Sequence, residues 1–258
     1  MNKNLWLLAA AQGLFLTNNV VFIAINGLVG FSLAPAGWMA TLPVMGYVVG
    51  GALSTGLVAR SQQRWGRQVS FQLGLAVALG SALLCALALW LHSFWLLVTA
   101  TVVAGYYSAN GQLYRFAAGE LATPAFREKA VSLVLAGGLL GAVIGPNLAK
   151  YTRDGLSTPF LGAYLALAVV ALLSMAVMMG IQFPPAVRQA KGADTGRPLR
   201  DIMLQPVFIV STVGAALGYG VMNLLMAATP LAMQGGGMHV DGARSVVQSQ
   251  DQGNLAPG

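Results

Sequence analysis

The sequence predicts an all-α membrane protein: a six-helix bundle built from two inverted three-helix repeats, followed by a seventh transmembrane helix. Three observations carry that expectation. First, 8% of the 258 residues are charged and 57% are hydrophobic, whereas a soluble domain carries roughly 25% charge. Too little polar surface exists to cover the apolar residues, so lipid must solvate much of the chain. Second, long stretches hold no formal charge. Third, the basic residues fall almost entirely on one side of the expected spans.

The charge-free runs place each helix. Asn4 to Ala59 is 56 residues, Gln68 to Tyr114 is 47, Ala130 to Ala149 is 20, Gly155 to Val187 is 33 and Ile202 to Val240 is 39. A membrane helix needs about 20 apolar residues rising 1.5 Å each. The first run therefore holds two spans, broken at Ala34-Pro35-Ala36-Gly37, and the second holds two, broken near His92-Ser93. The expected spans are Leu5–Leu33, Trp38–Ala59, Val69–Leu91, Phe94–Ala118, Ala130–Tyr151, Phe160–Phe183 and Val207–Met233. A polar stretch at 184–206, with Pro184, Pro185, Pro198 and Pro206, divides the bundle at 1–183 from the seventh span at 207–233. A polar tail at 234–258 follows.

Orientation follows from Lys and Arg. With the N-terminus inside, the inner segments carry Lys3, Arg60, Arg64, Arg67, Arg115, Arg127, Lys129, Arg188, Lys191, Arg197 and Arg200, leaving only Lys150, Arg153 and Arg244 outside. Eleven against three satisfies the positive-inside rule. The net charge of +7 is thus topological, and a nucleic-acid partner is not expected. The implied location is the bacterial inner membrane, with a cytoplasmic N-terminus. Lys3, an apolar run and Ala34-Pro35-Ala36 imitate a signal peptide. The run far exceeds a signal core of about 7–15 residues, so a retained first helix is expected.

At an offset of 89, Leu5-Trp6-Leu7-Leu8 matches Phe94-Trp95-Leu96-Leu97, Pro35 falls on Pro124, and the third span falls on the sixth. Three is odd, so the repeats run in opposite directions, which is a transporter device.

Three local patterns then point to one family. Arg64-Trp65-Gly66-Arg67, between the second and third spans, resembles the end of the D-R-x-G-R-R loop signature of the major facilitator superfamily. Glu120-Leu121 followed by Arg127-Glu128-Lys129-Ala130 is similar to the matching turn after the fourth span. Gly141-Ala142-Val143-Ile144-Gly145-Pro146 resembles the family's G-x-x-x-G-P motif, with Ser132 and Ala149 where the motif has further glycines. The resemblance covers about residues 1–233. It implies alternating access by two rocking halves, with Arg64, Gly66, Arg67, Glu120, Arg127, Gly141, Gly145 and Pro146 as conformational motif residues. Gln63 replaces the loop's acid and Ala59 its first glycine, so the family's charge relay is in question here. The family has twelve helices in two halves of six. Here the chain ends after the seventh, so an incomplete transporter that does not transport alone is expected. Self-association would be one way to cover its inner face. The alternative is a non-transporting remnant or assembly partner.

Candidate substrate residues sit on the first, fourth and seventh spans, which the resemblance puts around a central cavity. Gln12, Asn19 and Asn26 recur every seven residues and share one helix face. Neutral amides can bind a polar solute without the cost of burying a charge; equally, they can bond neighbouring helices together. On the fourth span, Tyr107, Asn110 and Tyr114 share a face, with Ser108, Gln112 and Arg115 on an adjacent one. Arg115 reads either as an anchor or gate for an anionic substrate or, preferably, as an interfacial Arg that snorkels and pairs with Glu120. On the fifth span, Gly137, Gly138, Gly141 and Gly145 allow close helix approach, and Pro146 should bend the helix. The seventh offers Thr212, Tyr219 and Asn223 on one face.

No carboxylate lies inside any span except Glu120 at the end of the fourth, so no buried proton relay is evident. Neither His92 nor His239 belongs to a catalytic or metal set, and Cys85 stands alone. No enzyme activity, metal or cofactor is expected. A seven-helix retinal protein is excluded, because Val207–Met233 contains no Lys for a Schiff base. The partners expected are the bilayer and a small-molecule substrate that the sequence does not specify.

Overall fold

The structure, a computed structural model, describes residues 3–153, 158–184 and 199–235. All regular structure among them is helical: α1 Lys3–Leu33, α2 Leu42–Trp90, α3 Phe94–Gly111, α4 Tyr114–Leu121, α5 Arg127–Arg153, α6 Leu161–Met179, α7 Leu199–Met203 and α8 Pro206–Gly235, with 3-10 turns at Gly37–Met39 and Pro124–Phe126. Of the expected polar connection and tail, 185–198 and 236–258 lie outside the described residues.

Among the described residues, four segments are long and apolar enough to cross a bilayer: Lys3–Leu33, Gly37–Trp90, Pro124–Arg153 and Leu161–Met179. At 49 residues α2 would be about 74 Å long if straight, more than twice the hydrocarbon core. It is not straight. Gly66 sits at φ 82° and ψ 170°, a region essentially closed to residues with a Cβ, and the chain folds back there. Two arms result, 42–65 and 67–90, held side by side by the Ser61–Ser70 hydroxyl contact. The sequence predicts a loop between Ala59 and Val69. One glycine replaces it, so Arg60 and Arg64 ride on the helix itself.

The expected fourth span divides into α3 and α4. Leu113 N–H bonds the Asn110 carbonyl at 3.0 Å, a tighter turn than the α-helix makes, and the helical hand continues. Beside this turn the Phe15 ring of α1 occupies the space a side chain at position 111 would need, so only glycine fits there. The sixth span is shorter than expected, with Ile181 to Pro184 non-helical. Pro146 lies inside α5 without ending it.

The most extensive pairings are α2 with α3 and α1 with α5. Both are backbone-to-backbone crossings. A Cβ on Gly13 would lie 2.8 Å from the Gly137 carbonyl oxygen, and one on Gly141 would collide with the Gly13 carbonyl. In the other pair, a Cβ on Gly50 would collide with the Val102 carbonyl, and one on Gly105 with the backbone of Gly50 and Gly51. The offset of 89 carries Gly13 onto Val102 and Gly50 onto 139, midway between Gly137 and Gly141. Each crossing joins the two repeats, and the offset exchanges one crossing for the other.

Two apolar clusters fill the bundle. One surrounds Tyr47 and Tyr164 with Phe22, Leu97 and Leu167. The other surrounds Phe15, Phe71, Tyr107 and Tyr114. The outside is also apolar: Leu139, Leu140 and Val143 of α5 and Val207 and Leu217 of α8 are all more than half exposed. Such a surface suits lipid, not water. The chain is a multi-pass, all-α membrane protein.

Candidate functional site

The α1 amides all enter the bundle, and they meet different helices. Asn18 donates from Nδ2 to the Leu167 carbonyl at 3.2 Å. Asn19 Oδ1 accepts from the Tyr47 hydroxyl of α2 at 2.6 Å. Asn26 Oδ1 accepts from the Tyr164 hydroxyl of α6 at 2.9 Å, while its Nδ2 donates to the Phe22 carbonyl at 2.8 Å. Asn26 thus spends both ends of its amide within the protein. Gln12 is buried too, yet its Oε1 has no hydrogen-bond partner among the described residues. Thr17 joins α1 to α5, its hydroxyl sharing the Gly13 and Gly141 carbonyls at 2.9 and 3.2 Å.

On α3, Tyr107 stands edge-on to Phe15 with ring centres 5.3 Å apart, and its hydroxyl is buried and without a partner among the described residues. Tyr114, at the start of α4, is packed between Phe15 and Phe71 at 5.8 and 4.8 Å. Asn110 faces α2: its Oδ1 lies 3.3 Å from the Ser70 hydroxyl, and Gly74 leaves the room its amide takes up. Ser108 is buried on α3, while Tyr219 of α8 is 37% exposed. The Asn19–Tyr47 bond ties α1 to the first arm of α2. Thr212 is exposed. The Asn223 side chain lies outside the described residues.

Tyr47 was not among the residues that spacing selected. Its signal in the sequence is slight, a single hydroxyl within Val44-Met45-Gly46-Tyr47-Val48-Val49. None of the buried polar side chains among the described residues carries a charge. The polar groups buried among the described residues are hydroxyls and amides.

One end of the bundle is fastened differently. Arg67, just past the Gly66 fold, forms a two-pronged ion pair with both carboxylate oxygens of Glu120 at the end of α4. Its Nη1 also donates to Gln62 at 3.1 Å. Arg127 donates from Nε to the Gly119 carbonyl at 3.2 Å, closing the turn between α4 and α5. Asn4 of α1 donates to the Gln182 carbonyl at 3.1 Å at the same end. The expected pairing of Arg115 with Glu120 does not form. Arg67 holds that carboxylate, and Arg115 lies exposed with its guanidinium 5.0 Å from the centre of the Phe116 ring. With Arg67 23% and Glu120 48% exposed, the pair contributes about 1 kcal/mol. Its significance is positional: it ties the α2 fold to the end of α4 although Gln63 is no acid. Arg64 points elsewhere, 5.7 Å over the Trp65 ring. Gly145 approaches the Thr17 carbonyl, where a Cβ would lie at 3.3 Å, and extends the α1–α5 seam toward Pro146. No cluster of three or more His, Cys, Asp or Glu occurs among the described residues.

Comparison with known proteins places this geometry. The Major Facilitator Superfamily profile matches residues 5–248. The riboflavin transporter RfnT of Brucella anthropi is 35% identical over 258 residues, 99% of this chain and 65% of that protein. An uncharacterized MFS-type transporter of Bacillus subtilis, YdeG, is 26% identical over 166 residues, covering 63% of this chain and 39% of its own. The chain thus spans less than two thirds of the length of these relatives. A crystal structure of a D-xylose–proton symporter superposes with a TM-score of 0.63 at 16% identity, over 92% of this chain and 63% of that one. It shares the fold. The order of the loop, turn and glycine motifs, the repeated helix crossing and the profile match agree: this chain belongs to the Major Facilitator Superfamily.

Proposed function

We propose that the chain forms the substrate-binding and gating bundle of a secondary active transporter that moves a neutral, flavin-like solute by alternating access. The similarity to RfnT over nearly the whole chain is the observation that carries this reading. The interior supports it on chemical grounds. Riboflavin is uncharged, with a planar aromatic ring system edged by carbonyl and N–H groups and a chain of hydroxyls. Gln12 Oε1 and the Tyr107 hydroxyl are buried polar atoms without protein partners, and leaving such a group unsatisfied costs roughly 1–3 kcal/mol. A hydrogen-bonding solute offsets that cost. Phe15, Tyr107 and Tyr114 form one aromatic cluster around the Tyr107 hydroxyl's ring. With no buried charge among the described residues, an anionic solute would find no counter-ion.

In this reading Asn19, Tyr47, Ser108 and Tyr219 form the wall of the central cavity. Asn26, Asn110 and Tyr114 hold helices in place, and Arg115 sits at the membrane interface. Arg67, Glu120 and Arg127 clamp the arginine-rich end when that side is closed. The close α1–α5 seam, through Gly13, Gly141 and Gly145, lets the bundle rock as one piece. The arginine-rich end is cytoplasmic and the membrane is the bacterial inner one. No chemical step or cofactor is involved.

A melting experiment on the purified chain tests the substrate class. A ligand at about 100 times its Kd stabilises by about 2.7 kcal/mol, which is several degrees for a chain of this size. Riboflavin should raise the melting temperature, its phosphate ester should do so far less, and D-xylose should have no effect. Equal shifts from riboflavin and its phosphate, or none from riboflavin, would overturn the reading.

A further inference from the structure

The geometry points to a binding site for an anionic phospholipid in the cleft where the two arms of α2 meet α3, at the arginine-rich end and outside the bundle interior. The cleft holds about 360 Å³, with Arg60, Arg64 and Trp65 at its mouth. Both guanidinium groups are exposed, and Glu120, the carboxylate at this end, is held by Arg67. Neither Arg60 nor Arg64 is neutralised there.

The polar groups at the back of the cleft are already engaged. The Tyr106 hydroxyl donates to Ser61 Oγ at 3.1 Å, and Ser61 donates to the Val58 carbonyl at 2.9 Å. What the mouth offers a ligand is therefore positive charge. Away from the mouth the walls turn apolar, through Leu57, Leu73 and Val77. Leu57 and Leu73 are 56% and 39% exposed, which leaves them in contact with whatever enters. Val77 lies ten residues beyond Arg67, about 15 Å along the helix and half the depth of a hydrocarbon core of about 30 Å.

An anionic lipid satisfies both parts at once, with its phosphate between Arg60 and Arg64 and an acyl chain along the cleft. Free phosphate would leave the apolar walls bare, and a zwitterionic lipid would leave the two cations only partly paired. Trp65 is of the type that settles at headgroup depth. Basic pockets between membrane helices are known to hold such headgroups. The site does not depend on the substrate reading above.

Native mass spectrometry of the purified full chain tests this, with phosphatidylglycerol, phosphatidylcholine of the same acyl chains, or inorganic phosphate as the probe. Phosphatidylglycerol should bind saturably and phosphatidylcholine much more weakly; inorganic phosphate should not displace the bound lipid. Removing both charges by Arg60→Gln with Arg64→Gln should weaken phosphatidylglycerol about 30-fold, from the charge contribution of each arginine near a membrane surface. Lys150→Gln with Arg153→Gln, an equal loss of charge at the opposite end, should leave binding unchanged. Val77→Phe should weaken it with no change in charge. Should the double arginine variant fail to fold, Arg60→Gln alone decides, with an expected loss of about fivefold. Equal binding of the two lipids, equal losses in the arginine and lysine-end variants, or displacement by phosphate alone would each overturn the assignment.

Discussion

Removing one hydroxyl from each of two buried tyrosines should have opposite consequences, because one hydroxyl has a partner and the other does not. Tyr164 is fully buried and donates to Asn26 Oδ1 at 2.9 Å. Tyr164→Phe leaves that oxygen stranded in a residue 1% exposed. Hydrogen bonds between membrane helices average about 0.6 kcal/mol and reach about 1.7, and a stranded buried acceptor costs roughly 1–3 kcal/mol. Asn26 keeps its bond to Phe22, so a loss of about 1–1.5 kcal/mol is expected, or about 2–6 °C in melting temperature. Tyr107 is equally deep at 2% exposure, but its hydroxyl has no partner among the described residues. Tyr107→Phe removes a buried polar atom that protein groups do not satisfy, so stability should hold or rise by up to about 1 kcal/mol. Melting monitored by tryptophan fluorescence in one detergent measures both. A double-mutant cycle with Asn26→Leu should return most of the Tyr164 loss as coupling. If Tyr107→Phe is destabilised as much as Tyr164→Phe, the division of interior hydroxyls into structural and substrate-facing groups is wrong.

Other consequences are simpler to state. Gly66→Ala should cost about 1–3 kcal/mol, since φ 82° with ψ 170° excludes a Cβ, whereas Gly56→Ala, with open space around it, should be neutral or stabilising by up to about 1 kcal/mol; chemical or thermal melting separates the two. Gly141→Leu should abolish monodisperse protein on gel filtration, because its side chain would displace the α1 backbone at Gly13. Glu120→Gln should lower stability by about 1 kcal/mol, and the swap Arg67→Glu with Glu120→Arg should recover part of it, as melting would show. Cys85, fully buried, should resist a soluble maleimide until the protein is denatured, which mass measurement before and after detergent denaturation would reveal.

The membrane architecture was legible because lipid imposes it on every residue. Charge-free length and the placement of Arg and Lys depend on neither partner nor contact, and they gave the order of helices. The offset of 89 was faint as letters, and only the folded chain shows the two glycine crossings that it relates. Contacts between helices were harder to read. Asn19 and Asn26 lie on one face by spacing, yet a seven-residue repeat drifts about 20° on a straight helix. That drift accompanies their different partners, Tyr47 on α2 and Tyr164 on α6. Those tyrosines are 28 and 138 residues away from them, so no local pattern announced them. The pairing of Arg115 with Glu120 was a local guess. It lost to Arg67, 53 residues distant, because the fold at Gly66 delivers that guanidinium to the end of α4. A one-residue reversal was invisible in a stretch that composition marks only as a polar gap.

Equilibrium dialysis of radiolabelled riboflavin against the chain in lipid nanodiscs tests the central claim most directly, with wild type, Tyr107→Phe and Gln12→Leu compared after each has been shown to melt as a folded protein. Saturable binding to the wild type is expected, with about 3–10-fold weaker binding to each variant, the loss of one neutral hydrogen bond without loss of fold. Retention by the wild type no greater than by empty nanodiscs, or undiminished binding in both variants, would contradict it.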